Sequence, residues 1–444
     1  MMSLHEAARM AEGRASGGNP VFTGVSTDTR TLRADDLFVA LRGERFDGHG
    51  FLAQAKAAGA CAAMVDRRYV GEYPMPVIVV QDTKLALGML ARAWRSRFTP
   101  ALIAVTGSNG KTTVKEMLAS ILRAHGAEQA VLATAGNLNN DIGLPLTLLK
   151  LREVHRWCAI ELGMNHKGEI GYLAGIAQPT VALVNNAQRE HLEFMNSVEE
   201  VAAENASVYA ALPAHGVAVI NADDEHAGLF RKAAGQRTAV DFGLQDATIS
   251  GSYVTGHLSS DIRVRTPQGE AATQIAIPGL HNVRNALAAA ACAHAAGVGL
   301  ESIAAGLAAF RPYIGRLQVK RARDGATVID DSYNANPDSV RAAIDVLAAC
   351  PGPTVLVLGD MGEVGAQGPQ FHREVGAYAR SKGISSLLAL GEATRHAVEA
   401  FGSGATHCDK VEDLVARVAG KSILVKGSRF MKMERVVAAL MGGH

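Results

Sequence analysis

Five cysteines scattered through 444 residues, odd in number, leave this chain without a disulfide framework. None of Cys61, Cys158, Cys292, Cys350 and Cys408 stands in a CxxC pair, so a zinc knuckle is not indicated either. An excess of one charge is also missing. The 44 Lys and Arg nearly balance the 43 Asp and Glu, leaving a formal net charge of +1. Bulk charge therefore marks no groove for neutralising many nucleic-acid phosphates, and no nucleic-acid partner is expected. No uninterrupted apolar run reaches the ~20 residues of a membrane span. The opening MMSLHEAARMAEGR lacks the apolar core of a secretory signal. Low-complexity tracts and clear internal repeats are absent too. A soluble, cytoplasmic enzyme acting as a monomer is the expectation.

What the chain does have is apolar mass. Hydrophobic residues make up 48%, enough for buried cores, and the length exceeds what one ordinary core organises. Ser3-Leu4-His5-Glu6 has the pattern of a capping box at a helix start. Residues 37–41 and 77–80 read as strands. A boundary is expected near 82–100, where a helical stretch runs out at Thr99-Pro100. From Leu102 onward, short apolar runs at 102–105, 158–160, 181–184 and 217–220 alternate with helical patterns. Each run is followed by a polar or glycine-rich turn. That alternation predicts a largely parallel sheet with helices on its faces, whose ligands collect outside the carboxyl ends of the strands. A second series begins after Gly315-Arg316, with runs at 328–329, 355–358, 387–390 and 423–425, while 286–296 reads as an alanine-rich helix. The fold class expected is α/β with three domains. A central P-loop-type, mostly parallel sheet (84–314) is flanked by an N-terminal α/β domain (1–83) and a C-terminal Rossmann-like α/β domain (315–444).

The sharpest motif is TGSNGKTT at 106–113, which follows an apolar run and opens a helical pattern in Val114, Met117, Leu118, Ile121 and Leu122, with Gly126 as its stop. Gly107 and Gly110 let the N–H groups of Ser108, Asn109 and their neighbours converge on phosphate oxygens. The helix amino end beyond adds a favourable dipole. Lys111 supplies a cation for the terminal phosphates, and Thr112, followed by Thr113, offers a hydroxyl to Mg²⁺. Val105 stands where the usual GxxxxGK[ST] pattern has its first glycine, so the match is to a variant. The competing reading is a chance Gly-Lys-Thr turn in an ordinary loop.

Glu161 ends the run 158–160 at the same predicted sheet edge, where it could hold Mg²⁺; the plainer reading is a solvated strand-end carboxylate. His191 follows the run 181–184 and Asn185-Asn186. It could ligate a second cation or contact the acyl group, although a lone loop histidine is more often structural. Asn221-Ala222-Asp223-Asp224 is read as turn-forming only.

Taken together, these motifs resemble the Mur ligases, and within them the branch that adds D-alanyl-D-alanine. The loop at 106–113 is similar to that family's TGTNGKTT sequence. NLNNDIGLP at 137–145 is similar to the stretch approaching the muramyl-peptide substrate, which implies Asn137, Asn139 and Asn140 as contacts. ELGMN at 161–165 resembles the motif of a magnesium-binding glutamate, and His191 in HLE matches a metal-binding histidine. The resemblance thus implies catalytic roles for Lys111, Glu161 and His191, with Thr112, Glu161 and His191 on the metal. HNVRN at 281–285 implies Asn285 as the adenine contact. STDTR at 26–30 and FDGH at 46–49 look like the uridine-nucleotide domain, with Ser26, Asp28 and Arg30 as contacts. Gly315-Arg316, DSYNANP at 331–337 and KGSR at 426–429 resemble the domain that closes over ATP. Arg316 and Asp331 are then ATP contacts. Tyr333, Asn334, Asn336, Lys426, Ser428 and Arg429 would meet the substrates.

The implied activity is ATP- and Mg²⁺-dependent ligation of D-alanyl-D-alanine to a UDP-N-acetylmuramoyl-tripeptide through an acyl phosphate. One departure stands out. The family's helix before the next strand group usually carries a lysine modified to a carbamate, and Asn205 occupies that place here. Glu204 is the neighbour that could hold a second magnesium instead. The alternatives are another Mur-type or folylpolyglutamate-type ligase, or a protein that binds ATP only to switch partner contacts.

Overall fold

The computed structural model describes residues 1–43, 46–322 and 324–442. Three α/β units follow one another along the chain. In the first, a five-stranded sheet has the order Arg14–Ser16, Val77–Val80, Ala62–Asp66, Asp36–Val39, Gly24–Ser26. The first of these strands is antiparallel to its neighbour and the others run parallel. Ser3 does cap the helix Leu4–Met10 by accepting from Glu6 N, but Glu6 does not complete a capping box. Its carboxylate is turned to Arg97. A long-range ion pair has taken the group that the local pattern assigned to the helix end.

Helix Thr83–Arg95 leads into the central unit, with Asp82 accepting from the N–H groups of Lys84 and Leu85. It stops short of the expected Thr99-Pro100. Arg95 turns its buried guanidinium onto the carbonyls of Phe98, Ala177 and Gln178, which fastens the next turn in a non-helical path. The central six-stranded sheet then runs Thr238–Phe242, Val217–Asn221, Val181–Val184, Ala101–Thr106, Trp157–Glu161, Val131–Ala133, all parallel. Strand Ala101–Thr106 lies inside the sheet, and chain order departs from it in both directions. Such a switch point opens a crevice at the carboxyl ends of the strands. Thr106, Glu161 and the residues after Val184 all reach that edge.

The expected parallel alternation is interrupted after Phe242. Ser250–Thr255, Ser260–Thr266 and Gly269–Ile275 form an antiparallel three-stranded sheet. Its middle strand alternates buried and exposed residues, the signature of a sheet with one face in solvent. Helix Leu280–Ala295 fills the space between this sheet and the central one. It is buried on almost every side, and its alanines let the flanking layers approach closely.

The third unit is a six-stranded sheet in the order Gln318–Arg321, Thr327–Asp331, Ser422–Lys426, Thr354–Gly359, Ser386–Leu390, Ala405–Cys408. Only its first strand is antiparallel. Asp330, Asp331 and Lys426 are thus the last residues of strands, not loop residues, so their positions are set by sheet register. Among the described residues no helix is long and apolar enough to cross a membrane.

Helix Leu300–Ala309 packs directly on the phosphate-loop helix Lys111–His125. At Gly306 an added Cβ would lie 2.2 Å from Ile121 Cα, so backbone itself would have to move. Gly306→Ala is expected to cost about 1–3 kcal/mol of stability, as overpacking does. A urea titration showing an unchanged midpoint would mean that these helices can separate freely.

Candidate active site

The turn after Ala101–Thr106 is shaped from both sides. Gly107 and Gly110 have φ of 129° and 81°, the left-handed region that glycine tolerates. Space is short as well: a Cβ at Gly107 would lie 3.0 Å from the N atoms of Asn185 and Asn186, and one at Gly110 2.4 Å from Asn285 Oδ1. Those asparagines are the scaffold. Asn109 N donates to Asn186 Oδ1 at 2.8 Å, and Asn109 O accepts from Asn185 Nδ2 at 2.8 Å and Asn186 Nδ2 at 3.0 Å. Asn185 Nδ2 also donates to Asn285 Oδ1 at 3.0 Å, so the residue implied for adenine is tied to the phosphate turn. Lys111 Nζ donates to Gly107 O (2.6 Å) and Ser108 O (2.9 Å), and lies 3.2 Å from Glu190 Oε2.

Glu161 is buried at the neighbouring strand end. Its Oε1 accepts from Thr112 Oγ1 at 3.3 Å and Asn139 Nδ2 at 2.7 Å, whereas Oε2 is buried with no protein partner. A buried carboxylate oxygen left free beside a threonine hydroxyl is a hard, anionic donor set of the kind Mg²⁺ takes. Among the described residues no group of three His, Cys, Asp or Glu converges on a metal position. The protein's part therefore fits an ion completed by phosphate oxygens and water rather than an all-protein cage. His191 is held elsewhere. With φ of 54°, its Nδ1 lies 2.7 Å from Glu363 Oε2. This imidazole holds the Glu363 carboxyl below the ordinary glutamate range.

The third unit closes the site. Lys426 Nζ donates to Asp331 Oδ2 at 2.6 Å and to Asn334 O at 2.9 Å. Burial pulls the Lys426 pKa down, and Asp331 opposes that pull. The Arg316 guanidinium carbon sits 4.2 Å from the centroid of the Tyr333 ring, with its Nε buried and unpartnered. Asn336 caps helix Pro337–Ala348 and donates from Nδ2 to Asn109 Oδ1 at 2.9 Å, joining the helix end to the phosphate turn. Arg189 spans the same junction, bound to Asp338 on one side and Glu374 on the other.

These groups line one cavity of about 800 Å³, which also takes in Asn137, Asn139 and Asn140. A second cavity of about 350 Å³ adjoins it, lined by Ser428, Arg429, Phe430, Glu363 and others. Ser26, Asp28 and Arg30 line neither. They form a turn on the first unit in which the Arg30 guanidinium holds the Asp28 carboxyl down to about 2.

Family models match the three units in order. The "Mur ligase family, catalytic domain" model matches 21–95, the "Mur ligase middle domain" 105–293 and the "Mur ligase, glutamate ligase domain" 315–429. The sequence is 41% identical to the UDP-N-acetylmuramoyl-tripeptide--D-alanyl-D-alanine ligase of Escherichia coli K12, over 99% of this chain and 98% of that one. The chain belongs to the Mur ligase family. This Mur ligase is also 37% identical to the ligase of the same name from Bacillus subtilis, over 95% of this chain and 93% of that one. Among solved structures, MurF from Acinetobacter baumannii superposes with a TM-score of 0.92 at 34% identity, covering 99% of both chains. MurF from Thermotoga maritima in complex with ADP gives 0.83 at 25%, covering 95% of this chain and 98% of that one.

One expectation for this Mur ligase is corrected by the packing. Glu204 is not free to hold a second magnesium. Its carboxylate accepts from Gly168 N and Ile170 N, both at 2.8 Å, and so serves the start of helix Glu169–Ala177. Asn221-Ala222-Asp223-Asp224 makes the expected turns, Asn221 Oδ1 accepting from Asp223 N at 3.0 Å and Asp224 Oδ1 from His226 N at 2.8 Å. Asn221 Nδ2 donates to Asn185 O at 2.8 Å, and Asp223 and Asp224 face the main cavity with Arg284. The signal was present, since this run follows strand Val217–Asn221 at the same sheet edge. Asn205 is 0% exposed, accepting from Thr106 Oγ1 at 2.7 Å and donating to Val201 O at 2.9 Å. Both ends of its amide are used inside the protein.

His281 keeps an accessible edge on the cavity, yet the protein surrounds it so closely that burial lowers its pKa to about 4. Its Nε2 lies 3.0 Å from Asn282 Nδ2 and accepts as a neutral ring. Unfolded histidine titrates near ~6.5. Between these values the unfolded chain binds the proton and the native one does not, so stability falls as pH drops from about 6.5 toward 4. Urea midpoints measured across that range should show a shallower slope in His281→Gln. Equal slopes would mean that the ring titrates normally.

Proposed function

We propose that this protein joins D-alanyl-D-alanine to UDP-N-acetylmuramoyl-tripeptide, using ATP, to make the pentapeptide precursor of peptidoglycan. The relatives in E. coli and B. subtilis are named for that reaction. The observation that carries the reading is the single cavity of about 800 Å³, which joins the phosphate turn to Asn137–Asn140 on one side and to Arg316, Asp331 and Lys426 on the other. Such a space admits a nucleotide tail and a peptide carboxylate together. The work divides by unit: 1–83 binds the uridine nucleotide and its muramyl peptide, 84–314 binds ATP, and 315–444 closes over ATP and binds the amine substrate, with 44–45, 323 and 443–444 outside the described residues. The enzyme acts in the cytoplasm as a monomer.

A carboxylate and an amine do not condense at useful rates in water, because an oxide-like oxygen is a poor leaving group. Phosphoryl transfer from ATP turns that oxygen into phosphate. The helix start at 110–113 orients the polyphosphate through its N–H groups, those of Ser108 and Asn109 being bonded to Asn186, and Lys111 offsets charge on the outermost phosphoryl. Magnesium, held by Thr112 and Glu161, would neutralise further charge on the transferring group. His191, which lines the same cavity, is a second contact for phosphate or its cation, and Arg316 adds a guanidinium from the third unit. The tripeptide carboxylate attacks the γ-phosphorus and ADP departs. The amine, once it has lost a proton to solvent, attacks the acyl carbon, the C–N bond forms, and phosphate leaves with the C–O electron pair and takes up the second proton released from nitrogen. Alignment of the reactants is worth about 7–11 kcal/mol in such steps. Tyr333, Asn334 and Asn336 position the peptide, Lys426 fixes Asp331, and Ser428 and Arg429 line the smaller cavity for the dipeptide.

A coupled ADP-release assay tests the reading. Turnover should require the tripeptide and D-alanyl-D-alanine together, and Lys111→Ala should lower it by roughly 10²–10³. Turnover with glutamate or a single amino acid in place of the dipeptide would reassign the amine substrate. Glu161→Gln should raise the magnesium concentration for half-activity by about tenfold or more. An unchanged magnesium titration would leave Glu161 as a structural strand end.

A further inference from the structure

Glu190 has no part in the chemistry above, yet its side chain is only 11% exposed and faces the most important cation of the site. An ammonium has three N–H donors. Lys111 directs its donors to Gly107 O at 2.6 Å, to Ser108 O at 2.9 Å and to the Glu190 carboxylate at 3.2 and 3.4 Å. A phosphate oxygen can reach this nitrogen only by displacing one of them. The two carbonyls belong to a turn pinned by Asn185 and Asn186, whereas the carboxylate is the longest contact and sits on a side chain. Glu190 is therefore the group that gives way.

A carboxylate this buried needs another cation once it loses Lys111. The neighbouring charges are committed. Arg189 is bound to Asp338 and Glu374, and His191 faces Glu363 through Nδ1 while its Nε2 stays 3.6 Å from Glu190 Oε1. The smaller cavity offers the remaining route. Among the described residues, Glu190 is the one acid that lines both cavities, standing where the 350 Å³ space opens onto the 800 Å³ one. An amine substrate arrives there as an ammonium ion.

We propose that Glu190 exchanges partners during the reaction, giving Lys111 to the nucleotide phosphate and receiving the ammonium group of the dipeptide. This rests on the ligase reading above. Glu190 then seats the nucleophile at the mouth of the smaller cavity, and Arg429, on the wall of the same cavity, suits the dipeptide's carboxylate.

Glu190→Gln keeps the shape and removes the charge. Two changes of opposite sense are expected. A non-hydrolysable ATP analogue should bind more tightly by calorimetry, about fivefold or more, because the internal competitor for Lys111 is gone. The KM for D-alanyl-D-alanine should rise by roughly 10–100-fold, as loss of a charge-assisted contact does. Glu190→Asp, which keeps the charge on a shorter stem, should fall between the two and carries the test if the glutamine variant does not fold. A dipeptide KM within twofold of native, or looser binding of the analogue, overturns the proposal. A native enzyme without dipeptide-dependent ADP release would instead overturn the ligase reading.

Discussion

Two side-chain amides converging on one carbonyl hold the site together. Asn185 and Asn186 both donate to Asn109 O, and Asn186 accepts from Asn109 N, so the turn at 107–110 is bonded across to the next strand's exit instead of curling onto itself. The N–H groups of Ser108 and Asn109 are spent on this contact, and the helix-start N–H groups that follow Gly110 are the ones that face a phosphate. The demand propagates. The asparagines approach so closely that Gly107 can carry no side chain, and Asn285, bonded to Asn185, excludes one at Gly110. Loosening this contact would disturb the phosphate turn and Asn285 together.

Around that turn, most of the acids are paired with cations. Asp331 has Lys426, Asp338 and Glu374 share Arg189, Glu363 has His191, and Glu190 has Lys111. Glu161 is an exception, with one buried oxygen unpartnered. In a low-dielectric crevice an uncompensated carboxylate is costly, so this oxygen identifies where a bound cation is required. The bonds from Asn109 to Asn336 and from Arg189 to Asp338 cross between units, and they set the third unit against the phosphate turn.

Asn205 shows how a departure from the family pattern is absorbed. The amide is fully enclosed and satisfied by Thr106 and Val201, so the position contributes packing and two hydrogen bonds and no charge. Glu204 cannot make up the charge, because it is spent on helix N–H groups.

By itself the sequence determined the units that depend on local pattern. Alternating apolar runs and helical periods specify parallel α/β sheets, and Gly-Lys-Thr after a strand specifies a phosphate turn, because both are short-range consequences of backbone sterics and side-chain period. It also placed Glu161 at a strand end, where register carries it to the crevice. Partnerships were decided only by tertiary structure. That Glu6 would leave its helix for Arg97, that Glu204 would cap a helix thirty-odd residues earlier in the chain, and that Asp223 would face the cavity with Arg284 depend on contacts between distant segments. A carboxylate's chemistry is set by the group opposite it. Nothing in the residue or its neighbours in sequence says which group that will be until the sheets are stacked.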